Sequence, residues 1–565
     1  MGPSDDLNRP VIPTAEPPEP SPAGIDSSAA SRRPSAPGRA GDRWAIVMIV
    51  LLTLGSRLAV LPASHEGNMS PDAAHFLNVA RCVGRGQGFS NPAAWPAWLR
   101  PERLPAPETF KDPGLPFAIA ALTPLVRDPF RAGQILSLLA GLLLPLAVYT
   151  LGRKVACDRE LAWVAALIAA ASPVLIAQSV RVMAESLFTL LLTLAFVAAA
   201  PTRDGADPRR RRPGRALRAW GPNVDLSAWA AGVLLGLAFL VRTQALLAIP
   251  ALAVLTTAGT TGRAGIARVG RVVLAMAVTA SPLLIRNLVT FGSPFYSDAT
   301  TFAVWPFVDP LEFSHALARP PAPLQFALDH IPQVVAHTAS QLARFARSAL
   351  PRDILGAVAW APALAAGMVL GIVRFRTWAF AWVYLVPVVL MMSAVSWNTR
   401  YFASTAPFWC LLAALGVVWL ARRLPALRWP LVRGVAVAAL IVYVGLQSRR
   451  VARDVRGSTV PEIAAAIAES PVIASHLAPG ESLMAVTTSY WSWFSDRPSV
   501  HLVIADEREF TAVVHRYRVR WAALPTSRLA EFAARYPGGR LPAALVLDHA
   551  DPERDITVFE VRETR

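Results

Sequence analysis

Apolar stretches about as long as a bilayer is thick recur through most of this chain, and they constrain its fold more than any other feature. An α-helix needs about 20 consecutive apolar residues to cross a bilayer. Hydrophobic residues make up 54% of the chain and charged residues only 16%, against roughly 25% charged in soluble domains. The pattern predicts an α-helical polytopic membrane protein with about eleven transmembrane helices. The apolar stretches cover residues 44–62, 132–151, 160–179, 185–200, 226–241, 244–259, 269–286, 354–373, 377–395, 402–420 and 430–447.

The arginines between these stretches predict which side faces the cytoplasm. The net charge of +17 suits cytoplasmic loops, which are enriched in Lys and Arg, so nucleic-acid binding is not expected. Residues 114–126 are apolar but too short to span a bilayer squarely. If they form a re-entrant or interfacial helix, the basic run at 208–218 and the other Arg-rich loops share one side. We predict that this side is cytoplasmic, in the cytoplasmic (inner) membrane.

Three regions follow from this topology. Residues 1–43, rich in Pro, Ser, Ala and Arg, are predicted to be a disordered cytoplasmic tail. Residues 44–447 form the transmembrane domain, with a first outside loop at 63–131 and a long outside loop at 287–353. Residues 448–565 alternate β-rich and helical runs, which predicts a small extracytoplasmic α/β domain. Its predicted strands are 483–488, 500–504, 519–524, 544–547 and 556–561. Its predicted helices are 461–469 and 527–535.

Asp72 is the leading candidate for chemistry, because acidic residues near membrane spans are costly and tend to be functional. It lies in SPDAAHFLNVARCVGRGQGF, where Ser70 is suited to capping a helix. Apolar residues then recur at helical spacing, which predicts an amphipathic helix on the membrane surface. The alternative is that Asp72 only complements the dipole of that helix from its first turn.

Other charged residues are predicted at the outside ends of the spans. Glu185 follows Arg181 by four residues, so it either forms an ion pair along the helix or acts on a substrate or metal. Each nearby cation, taken alone, is suited to reaching lipid headgroups, whereas together the cations are suited to holding a phosphate. Lys111 stands out because Lys154 is the only other lysine in the chain. These cations are Arg57, Lys111, Arg242, Arg286 and Arg400.

Taken together, several segments resemble the GT-C superfamily of membrane glycosyltransferases, and within it the bacterial protein mannosyltransferase and aminoarabinose transferase group. Many members of that group carry Asp-Glu where this chain has Asp72-Ala73, a departure that weakens any metal site there. The resemblance covers about residues 44–505, judged by order and spacing. The matching segments are PDAAHFLNVAR (71–81), GRGQGF (84–89), KDPGLPF (111–117), RVMAE (181–185), GVLLGLAFLVRTQALLAIP (232–250), SPLLIRNLVTFGSPF (281–295), NTRYFASTAPF (398–408) and SDRPSVHLV (495–503).

The resemblance implies transfer of a sugar, with inversion, from a polyprenyl-phosphate donor to a lipid, glycan or protein acceptor outside the cytoplasmic membrane. Asp72 would be the general base and Glu185 would brace the acceptor loop or a divalent cation. No cofactor other than that cation is expected. The implied donor-phosphate ligands are Lys111, Arg286, Arg400 and Tyr401, and the implied further substrate contacts are His75, Arg181 and Arg242.

Three other functions stay open at this point. A secondary transporter would carry charged residues at mid-membrane and internal repeats. A ligase or polymerase of lipid-linked glycans would use a large outside loop such as 287–353, and a scaffold would merely display the tail domain. An enzyme predicts that Asp72, Glu185 and Lys111 face one outside cavity, whereas a transporter predicts a polar path through the bilayer centre.

Overall fold

A computed structural model describes residues 39–94, 101–201, 223–258, 260, 262–307, 322–395, 398–424, 430–457, 461–502 and 507–562. Residues 46–565 form one compact unit. Residues 1–45 are a separate unit, whose described part is the start of the first helix. The predicted disordered tail up to residue 38 and the basic run at 208–218 lie outside the described residues.

The described part of the chain up to residue 457 is mostly helical. Short 3₁₀ helices join many of its elements, and a π-helix covers Phe345–Ile354. The α-helices are α1 (Arg39–Val60), α2 (Pro71–Gly84), α3 (Gly114–Val126), α4 (Pro129–Ala156), α5 (Arg159–Ala171), α6 (Pro173–Val180), α7 (Ala184–Ala199), α8 (Asn223–Val241), α9 (Ile249–Thr257), α10 (Arg263–Phe291), α11 (Pro323–Asp329), α12 (Ile331–Arg344), α13 (Ala361–Val373), α14 (Phe375–Val395), α15 (Ala406–Arg423) and α16 (Pro430–Arg456).

Within the described residues, five helical segments are long and apolar enough to cross a membrane, or seven if each of two bent pairs is one span. Four shorter apolar helices accompany them. The described part of each predicted apolar stretch lies largely on helical structure, but the count of eleven spans stays a prediction. The five segments are Arg43–Ala63, Pro129–Ala156, Arg263–Phe291, Phe375–Val395 and Thr399–Arg423, and the shorter helices are Gly114–Val126, Ala184–Ala199, Leu226–Val241 and Thr243–Thr257.

Two predicted regions differ from what the structure shows. The predicted span 160–179 is bent by 55° between α5 and α6, because Pro173 disfavours helical backbone at Ser172, which is extended. The predicted long loop 287–353 is largely helical in its described part, since α10 continues to Phe291 and α11, α12 and the π-helix fill its second half. The segment Ile331–Ile354 is apolar enough to form a bent pair with Val358–Val373, at 104°.

The tail carries a mixed sheet with helices, as its alternating pattern predicts. The described helices after residue 457 are α17 (Pro461–His476), α18 (Thr488–Ser495), α19 (Glu507–Tyr517) and α20 (Leu529–Arg535). The strands within the described residues are β1 (Ser90–Asn91), β2 (Ala93–Ala94), β3 (Ala106–Pro107), β4 (Ser482–Ala485), β5 (Ser499–His501), β6 (Val519–Leu524), β7 (Leu545–Asp551) and β8 (Ile556–Val561). Six of them form one sheet in the order β2-β5-β4-β6-β8-β7, parallel from β2 to β6 and antiparallel beyond.

The first loop and the tail are joined through this sheet and through α2. Strand β2 of the first loop pairs with β5 of the tail. Asn78 of α2 donates a hydrogen bond to the Ser489 carbonyl at 2.9 Å, and the Tyr490 hydroxyl donates to the Met69 carbonyl at 2.9 Å. Helix α2 is therefore buried along most of its length against other parts of the protein, and its position on the membrane surface stays a prediction. The tail closes over the helix that carries Asp72.

Candidate active site

A cavity of about 690 Å³ lies where α2, the segment before α3, the start of α7, the turn after α8, α10, α14 and the 3₁₀ helix Thr399–Thr405 meet. One part of its wall is charged and another is apolar. The charged lining residues are Asp72, Glu108, Lys111, Asp112, Glu185, Arg242, Arg286 and Arg400, and the apolar ones include Leu246, Leu283, Leu284, Met391, Met392 and Val395. The cavity thus offers four carboxylates, four cations and an apolar surface to an amphipathic ligand.

Asp72 lies in the first turn of α2, where the sequence predicted it. Helix α2 starts with Pro71 at its first position, and the Ser70 hydroxyl accepts a hydrogen bond from the Ala73 amide at 3.2 Å. The Asp72 carboxylate is held by two cations, because one oxygen accepts from Lys111 and the other from Arg400. Burial raises the pKa of Asp72, but the two positive charges and their hydrogen bonds outweigh it and hold that pKa well below its usual range.

Lys111 is held between this carboxylate and two aromatic rings. Its ammonium nitrogen lies 4.6 Å from the ring centroid of Phe110 and 5.4 Å from that of Phe76. Aromatic faces attract a cation, so the ammonium group is confined to one side of the cavity. The residue that stood out in the sequence as one of two lysines therefore contacts the candidate base directly.

A second carboxylate, Glu108, fixes the segment that carries Lys111. One Glu108 oxygen accepts from the backbone amides of Thr109, Phe110 and Lys111, at 3.2, 2.7 and 2.8 Å. The other oxygen lies 2.8 Å from Nε2 of His75 on α2. Burial raises the pKa of Glu108, but the charge and hydrogen bond of His75 and the amide hydrogen bonds lower it to about 2.

Glu185 lies at the start of α7 and pairs with arginines from other segments. Its Oε1 accepts from Arg242 Nη1 at 2.6 Å and lies 3.9 Å from Arg400 Nε. Its Oε2 is buried and has no hydrogen-bond partner among the described residues. Both guanidinium groups lie over the Tyr401 ring, at 5.2 and 5.0 Å, and Arg400 also donates to the Tyr401 hydroxyl at 3.1 Å.

Two further charged residues complete the cavity wall. Arg286 of α10 donates to the Phe89 carbonyl at 3.3 Å and to the Asn287 side chain at 2.9 Å. Asp112 accepts from the Thr243 amide at 2.9 Å. Burial raises the pKa of Asp112 to about 6, although the Thr243 amide and the charge of Arg242 act in the opposite direction.

The predicted site residues divide into two groups. Most line the cavity together, whereas His75 and Arg181 are not among its described lining residues. His75 is buried against Glu108, and Arg57, predicted to reach lipid headgroups, is fully buried and donates to the Ala170 carbonyl. The predicted residues in the cavity wall are Asp72, Lys111, Glu185, Arg242, Arg286, Arg400 and Tyr401.

Sequence reasoning missed Glu108 and Asp112. Both lie in ETFKDPG, on either side of Lys111, and this close placement of two acids around a rare lysine was the available signal. Within the described part of the chain, no group of three or more His, Cys, Asp or Glu residues is placed to hold a metal ion. Asp72 and Glu185 instead have cationic partners.

Comparisons with known proteins bear on the family and the fold. Residues 128–280 match the family model described as dolichyl-phosphate-mannose-protein mannosyltransferase. No curated protein matches the sequence significantly. The predicted resemblance to GT-C enzymes is confirmed by this family match together with the solved structures to which the chain is similar.

Three solved structures share the fold over nearly the whole chain. ArnT from Cupriavidus metallidurans in the apo state has a TM-score of 0.58 and 16% identity, and the match covers 92% of this chain and 98% of ArnT. ArnT bound to undecaprenyl phosphate has a TM-score of 0.53 and 14% identity, with 93% and 98% covered. AglB from Archaeoglobus fulgidus, in complex with an inhibitory peptide and a dolichol-phosphate, has a TM-score of 0.57 and 14% identity, with 92% and 74% covered.

Proposed function

We propose that this chain, which has the fold of the GT-C membrane glycosyltransferases, transfers a sugar from a polyprenyl-phosphate donor to an acceptor hydroxyl at the outer face of the cytoplasmic membrane. The observation that carries the proposal is the contact of one carboxylate, Asp72, with both Lys111 and Arg400 in a single cavity. A base and phosphate-binding cations within reach of one another are what such a transfer requires.

The wall of the cavity matches an amphipathic donor. Lys111, Arg286, Arg400 and the Tyr401 hydroxyl offer the phosphate charge-assisted hydrogen bonds. Leucine and methionine side chains of α10 and α14 form the apolar part of the wall, which suits the first isoprene units of a lipid. The two solved relatives that hold undecaprenyl phosphate and dolichol-phosphate support this class of donor.

The proposed reaction is a single displacement at the anomeric carbon. Asp72 takes the proton of the acceptor hydroxyl as its oxygen bonds to that carbon. The bond between the carbon and the phosphate oxygen breaks, and the electron pair stays on the polyprenyl phosphate. Because attack and departure occur on opposite faces of the sugar, the configuration inverts. Lys111 and Arg400 stabilise the negative charge that grows on the leaving phosphate.

Donor binding also frees the base. Both oxygens of Asp72 are held by cations, and a carboxylate held in this way is a weak proton acceptor. An incoming phosphate competes with Asp72 for Lys111 and Arg400. As these cations turn to the phosphate, the pKa of Asp72 rises and the carboxylate becomes available to the acceptor hydroxyl.

The site geometry favours an enzyme over a transporter. Asp72, Glu185 and Lys111 line one cavity, which is the arrangement that distinguishes the two functions. The predicted topology of about eleven spans places these residues on the outer side of the membrane, with the N-terminus in the cytoplasm and the tail domain outside. Nucleotide sugars are not available there, so a lipid-linked donor is required. We propose Arg242 and Arg181 as residues of the acceptor side, with Glu185 bracing Arg242.

Replacement of Asp72 tests the proposal. In cells that lack the chromosomal gene, the wild-type protein is expected to restore a sugar to one class of envelope lipid, glycan or protein, measured by mass spectrometry. The Asp72→Asn variant removes the base but keeps the side-chain shape, so that product should fall at least about 100-fold. Asp158→Asn is the matched control, because Asp158 caps α5 away from this cavity and Asn is an equally good cap. If the Asp72→Asn protein is folded and inserted and still restores the full product, Asp72 has no part in the mechanism.

A further inference from the structure

We infer that Glu108, together with His75, is a positioning group that sets the distance between Lys111 and Asp72. This role of Glu108 deepens the proposed function, because its expected effect on sugar transfer rests on that function. Glu108 is only 3% exposed, and its two oxygens hold two different elements: the segment that carries Lys111 and the helix that carries Asp72.

The first contact fixes the backbone at Lys111. One Glu108 oxygen accepts hydrogen bonds from three consecutive amides, which end with the amide of Lys111 itself. A single oxygen that binds three successive N–H groups imposes one backbone conformation on residues 109–111. The Cα of Lys111, from which its long side chain starts, is thereby held in place.

The second contact fixes this segment to α2. His75 lies three residues after Asp72, almost one turn along the same helix. Its Nε2 is 2.8 Å from the other oxygen of Glu108, and the histidine ring stacks on Phe110 with centroids 5.9 Å apart. One carboxylate thus connects the helix of Asp72 to the backbone of Lys111, and the Lys111–Asp72 ion pair closes the loop.

This arrangement gives His75 a role different from substrate contact. His75 is buried beneath the cavity wall and engaged by Glu108. Both Glu108 oxygens are likewise engaged by protein groups, so neither residue is expected to touch the donor or take a proton from the acceptor. They act through Lys111, and a small displacement of a charged group in such a site lowers the rate up to about 100-fold.

The first test uses the two lysines as reporters. The purified full-length protein is treated with a small amine-acylating reagent, and the extent of modification at Lys111 and Lys154 is measured by mass spectrometry. Lys154 donates to the Val197 carbonyl and does not line the cavity, so it serves as an internal reference. We expect Glu108→Gln to raise the ratio of Lys111 to Lys154 modification about tenfold, because Lys111 separates from Asp72 and its amine, paired in the wild type on a side chain that is 14% exposed, becomes accessible to the reagent.

The control and the second variant keep this test decisive. Glu462→Gln is the matched control, since Glu462 is a half-buried carboxylate in the tail that also accepts a hydrogen bond from a backbone amide, that of Thr487. Its ratio should equal that of the wild type. If Glu108→Gln does not fold, His75→Gln removes the other half of the link and should raise the same ratio. An unchanged ratio in the folded Glu108 or His75 variant overturns the inference.

The second test asks whether Glu108 acts through Lys111. We expect Glu108→Gln to lower kcat/KM for the lipid donor about 10- to 100-fold in the wild-type background. In a Lys111→Ala background the same change should have almost no further effect, because the group that it positions is gone. Equal effects in both backgrounds would contradict a positioning role. If the wild type shows no transfer at all, the proposed function fails, and the lysine ratio still decides the inference.

Discussion

The segment Thr399–Arg423 carries an arginine bound to carboxylates near each of its ends, and the two arginines lie in different surroundings. Arg400 contacts Asp72 and Glu185, and its side chain is 18% exposed. Arg422 contacts Asp158 and Glu160 at 2.7 and 3.1 Å, and its side chain is 57% exposed. The same residue types therefore line a cavity of about 690 Å³ with a mostly buried arginine at one end, and a cavity of about 320 Å³ with an exposed arginine at the other.

Exposure decides what each cluster does. Charges in water are screened, and exposed ion pairs contribute only about 0–1 kcal/mol to stability. Within a cavity, charges act on one another and on a ligand more strongly. Glu185 illustrates this, because it is 4% exposed and one of its oxygens has no partner among the described residues. The residue types of an ion pair thus indicate a ligand site only when the burial of the pair is known.

The largest effect that tests this contrast is expected from Arg400→Lys. The Arg400 guanidinium donates through Nη2 to both Asp72 and the Tyr401 hydroxyl, and its Nε lies 3.9 Å from Glu185 Oε1. A lysine ammonium cannot reproduce that geometry, so kcat/KM for the lipid donor should fall about 10- to 100-fold. Steady-state transfer by the purified protein measures this change. Arg422→Lys is the matched control, and equal losses in the two variants would show that burial does not separate the two ends.

An intermediate effect, which depends on pH, is expected from Asp112→Asn. Burial raises the pKa of Asp112 to about 6, so ionisation of Asp112 destabilises the folded protein. The stability provided by the protonated form is complete below the ordinary pKa of 3.8 and is lost as the pH rises through about 6. The Asn variant keeps an oxygen for the Thr243 amide and has no charge to bury. Its thermal midpoint should exceed that of the wild type more at pH 7.5 than at pH 4.5, and an equal difference at both pH values would contradict the prediction.

The smallest effect is expected from Arg422→Gln, which removes a charge from the exposed cluster. Its pairs with Asp158 and Glu160 are screened by solvent. The free energy of unfolding should change by about 0.5 kcal/mol or less, and sugar transfer should stay at the wild-type level. Thermal unfolding and the transfer assay check the two statements. A loss of transfer comparable to that of Arg400→Lys would assign a function to this end as well.

Local patterns in the sequence predicted the elements that depend on neighbouring residues. The apolar stretches lie on helices, and Ser70 caps the helix that places Asp72 in its first turn. The β-rich runs of the tail correspond to strands β4 to β8. Hydrophobic length, helix capping and β-rich composition are properties of short segments, so they are readable without knowledge of the fold.

The sequence by itself thus determined the helical membrane class, the α/β tail and the residue types available for chemistry. Only the tertiary structure decided their partners: Glu185 with Arg242, His75 with Glu108, and strand β2 of the first loop with the tail sheet. Asp72 contacts Lys111 and Arg400, which lie 39 and 328 positions away along the chain. Contacts over such separations depend on how the helices pack, because ion pairing requires approach within a few ångströms and no local pattern encodes that distance.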